Sequence, residues 1–91
     1  MLLYLVTYDI SCSKRRLKVA NLLEGYGRRV QFSVFECVLP SFKYRELRDR
    51  LQQHVKPEDS IRFYPLSAHT LRQVEVWGGV PVLQPPGSTI V

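Results

Sequence analysis

The chain has 91 residues, 45% hydrophobic, 11% aromatic and 23% charged, which fits one globular domain and argues against a disordered tail or a fibre. So short a chain leaves much of its surface unburied, and a second copy covering an exposed face would stabilise it. The net charge of +5 is local: Lys14, Arg15, Arg16, Lys18, Arg28 and Arg29 stand against Glu24 alone between residues 10 and 30, and the rest of the chain balances to zero. Such a segment is either a basic patch for a polyanion or a solvated helix face.

Residues 2–8, LLYLVTY, are apolar and rich in β-formers, and the polar cluster Asp9, Ser11, Ser13 stops them, so a buried central strand is predicted. From Lys14 to Tyr26 the pattern turns helical. Val19, Leu22, Leu23 and Tyr26 fall at i, i+3, i+4 and i+7, with Lys14, Lys18, Asn21 and Gly25 on the opposite face. Ser11 or Ser13 can cap the start, and Gly27 can end the helix in the left-handed conformation. Residues 28–39 return to strand character, as one long strand or as two bent near Phe32-Ser33. Pro40-Ser41 opens a second helix with Tyr44, Leu47, Leu51 and Val55 on one side, and Pro57 fixes its end. On its outer face Glu46 and Arg50 form a favourable i, i+4 pair.

Ile61 to Leu66 alternates as a strand, Val74 to Trp77 makes another, and Gly78-Gly79 breaks it. The order predicts an α+β fold with both helices on one face of a sheet, a ferredoxin-like βαββαβ sandwich if the chain bends near Phe32. Residues 1–78 form this domain. Residues 79–91 hold Pro81, Pro85 and Pro86 beside Val82, Leu83, Ile90 and Val91, which suits an extra C-terminal strand or arm packing on the partner subunit of a homodimer. Met1 to Val6 is too short to span a bilayer and has no basic residues before it, so no signal peptide, membrane helix or membrane partner is expected. Cys12 and Cys37 show neither C-x-x-C nor zinc-ligand spacing, which fits a reducing, cytoplasmic setting without a disulfide framework.

Asp9 is the first candidate for chemistry. A carboxylate ending an apolar strand, before a polar loop and a basic helix, lies at the rim of the sheet and can hold a hard cation such as Mg²⁺; the alternative is a turn or cap residue. Phosphodiester-cutting magnesium sites usually need more than one carboxylate, and a two-fold dimer would bring Asp9 of each chain to one ion. Tyr8 and Ser11 flank Asp9 and could orient water or substrate, or serve as a strand aromatic and a helix cap. Arg15, Arg16 and Lys18 start the first helix while Arg28 and Arg29 start the next strand, opposite ends of one βαβ unit that a dimer could line up in one groove. Guanidinium forks suit phosphate. Tyr26, Phe32 and Phe35 could stack bases, although core packing accounts for at least two of them. His54 at a helix end and His69 in a loop are isolated, and Cys12 has no histidine partner to make it a nucleophile.

Tyr8-Asp9-Ile10 at a strand end, the basic helix, Gly27 to Glu36 (GRRVQFSVFE) and Ser60 to Leu66 (SIRFYPL) together resemble the second core CRISPR-associated protein, a small dimeric family of the spacer-acquisition machinery known as CRISPR-associated endoribonucleases. The resemblance runs from Leu3 to about Trp77. It implies a ferredoxin-like homodimer with C-terminal strands crossing to the partner, and a magnesium ion shared between subunits at Asp9. It also implies nucleic-acid roles for Arg16, Lys18, Arg29 and Phe35, with Tyr8 beside the metal. Lys18 stands where some members carry arginine, which keeps the charge and loses the fork. The implied activity is metal-dependent endonuclease cleavage of single-stranded RNA, or of double-stranded DNA. The rival is a non-catalytic scaffold that binds nucleic acid and bridges subunits of a CRISPR integrase.

Overall fold

The computed structural model describes residues 1–86, in the order β1 (Leu2–Asp9), α1 (Ser13–Glu24), β2 (Arg28–Gln31), β3 (Val34–Leu39), α2 (Ser41–Gln52), β4 (Ser60–Leu66) and α3 (Ala68–Leu71). The strands form one sheet in the order β2-β3-β1-β4, with every neighbouring pair antiparallel. Each helix therefore connects two strands that leave room for a third between them, the βαββαβ ferredoxin-like arrangement. β1 is central and lies between β3 and β4, as its apolar run requires. Pro65 sits in β4 at an edge of the sheet, where a missing backbone donor is tolerated.

The two-residue period of β1 and β3 separates the faces. Tyr4, Val6 and Tyr8 join Phe35, Cys37 and Leu39 beneath Val19, Ala20 and Leu23 of α1 and Leu47 and Leu51 of α2. Tyr4 stacks on Tyr44 of α2 at 3.8 Å between ring centroids. Register assigns the opposite face: Leu3 lies between Val38 and Leu66, Leu5 between Glu36 and Tyr64, Thr7 between Val34 and Arg62, and Asp9 faces Ser60. Leu5, Val34, Val38 and Leu66 on this face are only partly buried. The C-terminal segment crosses part of it. The Leu83 N–H donates to Glu36 Oε1 at 3.1 Å, and Arg28 Nη2 donates to the same oxygen at 3.4 Å and to the Pro81 carbonyl.

Of the two alternatives for residues 28–39, the structure has two strands, with the turn at Phe32-Ser33. Neither turn residue has a positive φ, so this is not the usual primed hairpin turn; a bulge between Arg29 and Gln31 accommodates the mismatch in twist. The α1 N-cap is Cys12, without a side-chain cap, and neither Ser11 nor Ser13 fills that role. Gly27 is not left-handed, because α1 ends by tightening: Gly25 N bonds Leu22 O, and Tyr26 N and Gly27 N both bond Leu23 O. Glycine is needed there for a different reason, since a Cβ would fall on the Glu36 carbonyl and Cys37 Sγ.

Glu46 and Arg50 do not pair directly. Tyr26 Oη stands between them, donating to Glu46 and accepting from Arg50 at 2.9 Å, while Lys43 reaches Glu46 at 3.3 Å. No strand forms over Val74 to Trp77. Its residues are exposed and, with no neighbouring strand to pair with, the segment lacks the ladder a strand needs. His69 lies in the short helix α3, capped by Ser67 Oγ accepting from Thr70 N at 3.1 Å, and not in a loop. The expected contribution of Ile90 and Val91 to the arm lies outside the described residues. Among the described residues no helix is long and apolar enough to cross a membrane.

Candidate nucleic-acid interface

Asp9 ends β1, exposed at the rim on the sheet face away from the helices, and its carboxylate makes no side-chain hydrogen bond or ion pair among the described residues. Beside it Arg16 Nη1 donates to the carbonyls of Ile10 at 2.8 Å and Ser11 at 3.2 Å. This holds the loop that leaves Asp9 and takes up two acceptors that no regular element satisfies. The other guanidinium nitrogens of Arg16 have no protein partner among the described residues.

Tyr8 is the floor. Its backbone N–H donates to Ser33 O at 3.1 Å, and its hydroxyl makes a longer contact of 3.5 Å to Phe32 O. The hairpin turn is thereby fastened to the rim. Two adjoining hollows result. One, of about 190 Å³, is lined by Tyr8, Asp9, Ile10, Arg16, Phe32 and Ser33. The other, of about 320 Å³, shares Tyr8, Arg16 and Phe32 and adds Arg29. Arg16 and Arg29 thus meet within one chain, without a dimer, because β2 has only four residues and Arg29 stands close to the turn. The Arg29 guanidinium lies 5.2 Å from the Phe35 ring centroid.

Two expected positions lie elsewhere. Phe35 is fully buried, with Tyr8 at 6.3 Å and Arg29 against its ring, so it supports those two side chains and offers no free face to a base. Lys18 is about 200° around the helix from Arg16, and it lines the groove between α1 and α2 with Lys43, Glu46, Arg50 and His54. Arg15, in the same basic run, turns to the connection between α2 and β4: its Nε and Nη2 grip Asp59 at 2.8 and 2.9 Å, and Nη2 reaches Glu58 at 3.4 Å. The Arg15 hydrogen bond, and then the Lys56 backbone N–H, hold the Asp59 carboxyl below the usual carboxylate range. Hence part of the local positive charge is spent inside the fold.

The aromatic exposed at the rim is Phe32, 78% accessible at the turn. An aromatic inside a two-residue connection between strands has no core to enter, and that placement was the available sequence signal. The cysteines differ. The Arg15 backbone N–H draws the Cys12 thiol down, whereas burial pushes Cys37 up to about 12.

Among the described residues no three His, Cys, Asp or Glu gather to hold an ion. Among the described residues, Asp9 is the carboxylate that lines these two hollows. As an exposed oxygen donor without a partner of its own, Asp9 suits a hard divalent cation, and the ligand count calls for a second contributor.

Comparison with known proteins gives a consistent result. The family model for CRISPR associated protein Cas2 matches residues 1–74. The CRISPR-associated endoribonuclease Cas2 3 of Synechocystis sp. is 58% identical over 92 residues, covering 100% of both chains. The crystal structure of Streptococcus pyogenes Cas2 superposes with a TM-score of 0.72 at 41% identity, covering 84% of this chain and 99% of that one. A chain from a partial Cas6-RT-Cas1–Cas2 complex superposes with a TM-score of 0.79 at 36% identity, covering 92% and 99%.

Proposed function

The chain belongs to the Cas2 family of CRISPR-associated proteins, and from that premise we propose that it is the small dimeric subunit of a CRISPR adaptation module and a magnesium-dependent endonuclease hydrolysing phosphodiester bonds of RNA. The observation that supports this reading is the exposed Asp9, without a partner among the described residues, in a hollow it shares with Arg16, which joins Arg29 in the adjoining one. The endoribonuclease name borne by the Synechocystis relative supports the reaction.

The sheet supports the dimer. Asp9 shares its face with the partly buried Leu5, Val34, Val38 and Leu66, a set of apolar side chains that a second copy would cover. An isologous contact brings together the two copies of a residue at its two-fold axis, and with Asp9 at that axis the two carboxylates converge. Residues 79–91 act as the arm that extends this contact. The two Asp9 carboxylates would hold the magnesium ion, which would supply charge compensation at the phosphate and a water of lowered pKa. The rest is done by the chain. Arg16 holds the loop after Asp9 in place while its remaining N–H groups face the backbone of the nucleic acid, Arg29 adds a second cation, and Tyr8 braces the hairpin turn. These contacts position the strand without reading its sequence. Two cysteines without a disulfide suit a reducing compartment such as the cytoplasm.

A second reading has its own support: the likeness to a chain of a complex that contains Cas1 favours a dimer that holds DNA for an integrase subunit, with Asp9 idle. Purified protein incubated with single-stranded RNA and with duplex DNA, with and without Mg²⁺, beside Asp9→Asn, separates the two. Magnesium-dependent RNA cleavage that falls by orders of magnitude in Asp9→Asn is expected. Cleavage unchanged by Asp9→Asn ends the proposed mechanism, and no cleavage by the wild type with any divalent metal favours the scaffold.

A further inference from the structure

We propose that Phe32 is a stacking platform for one unpaired base, which makes the rim selective for single-stranded over double-stranded nucleic acid; the inference rests on the nucleic-acid reading given above. Four observations carry it. Phe32 is 78% exposed at the hairpin turn, whereas the other phenylalanine of the hairpin, Phe35, is fully buried. The backbone that carries it is tied to β1, through Tyr8 N–H to Ser33 O and a longer contact from Tyr8 Oη to Phe32 O. The bulge between Arg29 and Gln31 alters the run of β2 into the turn, a device that re-aims side chains at functional edges. Finally, Phe32 lines both hollows, one with Asp9 and the other with Arg29, and Arg16 lines both.

An exposed aromatic beside guanidinium groups matches the requirements of a single strand, whose unstacked bases seek a π-face while its phosphates seek cations. In a duplex the base faces are already covered by their neighbours, so Phe32 gains nothing there, whereas Arg16 and Arg29 attract both forms alike. A base seated on Phe32 would place its backbone along Arg16 and Arg29, close to Asp9, and so set which phosphate meets the carboxylate. Because the turn is pinned before the strand arrives, little ordering cost opposes the contact. Phe35, which the family resemblance marks for nucleic acid, contributes by supporting Arg29 and Tyr8 from below.

The test measures binding in EDTA, so that cleavage plays no part, for wild type, Phe32→Ala and Phe32→Tyr with single-stranded RNA and duplex DNA of equal length. Phe32→Ala is expected to weaken single-strand binding by about tenfold or more, the loss of one stacked base, and to leave duplex binding unchanged. Phe32→Tyr is expected to retain wild-type affinity for both. An RNA with one abasic position at the contacted nucleotide should lose affinity for the wild type and lose no more for Phe32→Ala. In a Trp77→Phe background, Phe32→Trp should show quenched fluorescence on binding single-stranded RNA. Equal single-strand affinity for wild type and Phe32→Ala overturns the stacking role, as does an equal loss for both strands that Phe32→Tyr shares. A wild type that binds neither form overturns the nucleic-acid reading itself, and the stacking role with it.

Discussion

Arg15 and Arg16 are consecutive in α1 and end in opposite kinds of neighbourhood. Arg15 closes a corner: it grips Asp59, whose side chain keeps 1% of its exposure, and Lys56 N–H completes the carboxylate at 2.9 Å. Arg16 opens a rim: it takes two backbone carbonyls and leaves the nearby Asp9 carboxylate without a partner. In the corner every charge is answered within the chain, which contributes to holding the α2–β4 connection against α1. At the rim the acid is unanswered and exposed, which costs the fold little and leaves its oxygens for something from outside. A satisfied carboxylate is evidence of architecture, and an unsatisfied one among arginines is evidence of function.

Asparagine substitution should break this contrast cleanly. Asp9→Asn should abolish most cleavage and leave thermal stability close to wild type, since its carboxylate has no side-chain hydrogen bond or ion pair among the described residues. Asp59→Asn should do the reverse, lowering the melting temperature by several degrees while cleavage persists below it. The pH dependence sharpens the point. Because the folded-state pKa of Asp59 is lowered, its stabilisation is complete at neutral pH and is lost as pH falls through that lowered value. The stability gap between wild type and Asp59→Asn should therefore close in acid, as measured by urea melts across pH.

Glu36 extends the closed class to the open face of the sheet. It is 9% exposed and accepts from Arg28 and from Leu83 N. Glu36→Ala strands both donors; since Arg28 keeps enough exposure to be rehydrated, the cost should be about 2 kcal/mol, below the roughly 3–5 kcal/mol of a fully buried pair. Proteolysis after residue 79 should accelerate in the same variant. The smallest effect concerns the open class. Arg16→Ala with Arg29→Ala should flatten the slope of log affinity against log salt by about 1.4 for single strands, two phosphate contacts at about 0.7 each, and should do so for all sequences alike. An unchanged slope would place the phosphate contacts elsewhere, in the α1–α2 groove that holds Lys18, Lys43 and Arg50.

The fold was largely legible in the sequence because periodicity and punctuation agree along most of the chain. The apolar run to Asp9, the i, i+3, i+4, i+7 pattern of α1 and the Pro40-Ser41 opening each point to one element. The strand expected over Val74 to Trp77 shows where the signal ends, for alternation states a preference that only a neighbouring strand can satisfy. At the site, Asp9 was legible as a strand-end carboxylate before a basic helix. The division of labour among the basic residues was not. The sequence places Arg15, Arg16 and Lys18 together, while the helix sends them to a corner, a rim and a groove, and only tertiary structure reveals which cations Asp59 and Glu36 have already engaged. Phe32 and Phe35 differ by three positions and look alike in sequence; the turn between them decides that one is exposed and the other buried.

The mechanism proposed for this rim has two Asp9 carboxylates, one from each subunit, sharing one magnesium ion. Isothermal titration of Mg²⁺ into the purified protein, with the oligomeric state fixed by sedimentation, measures this directly. A dimer that binds one ion per two chains at this site is expected, with that binding lost in a dimer of Asp9→Asn. One ion per chain, or binding that Asp9→Asn leaves intact, would contradict it.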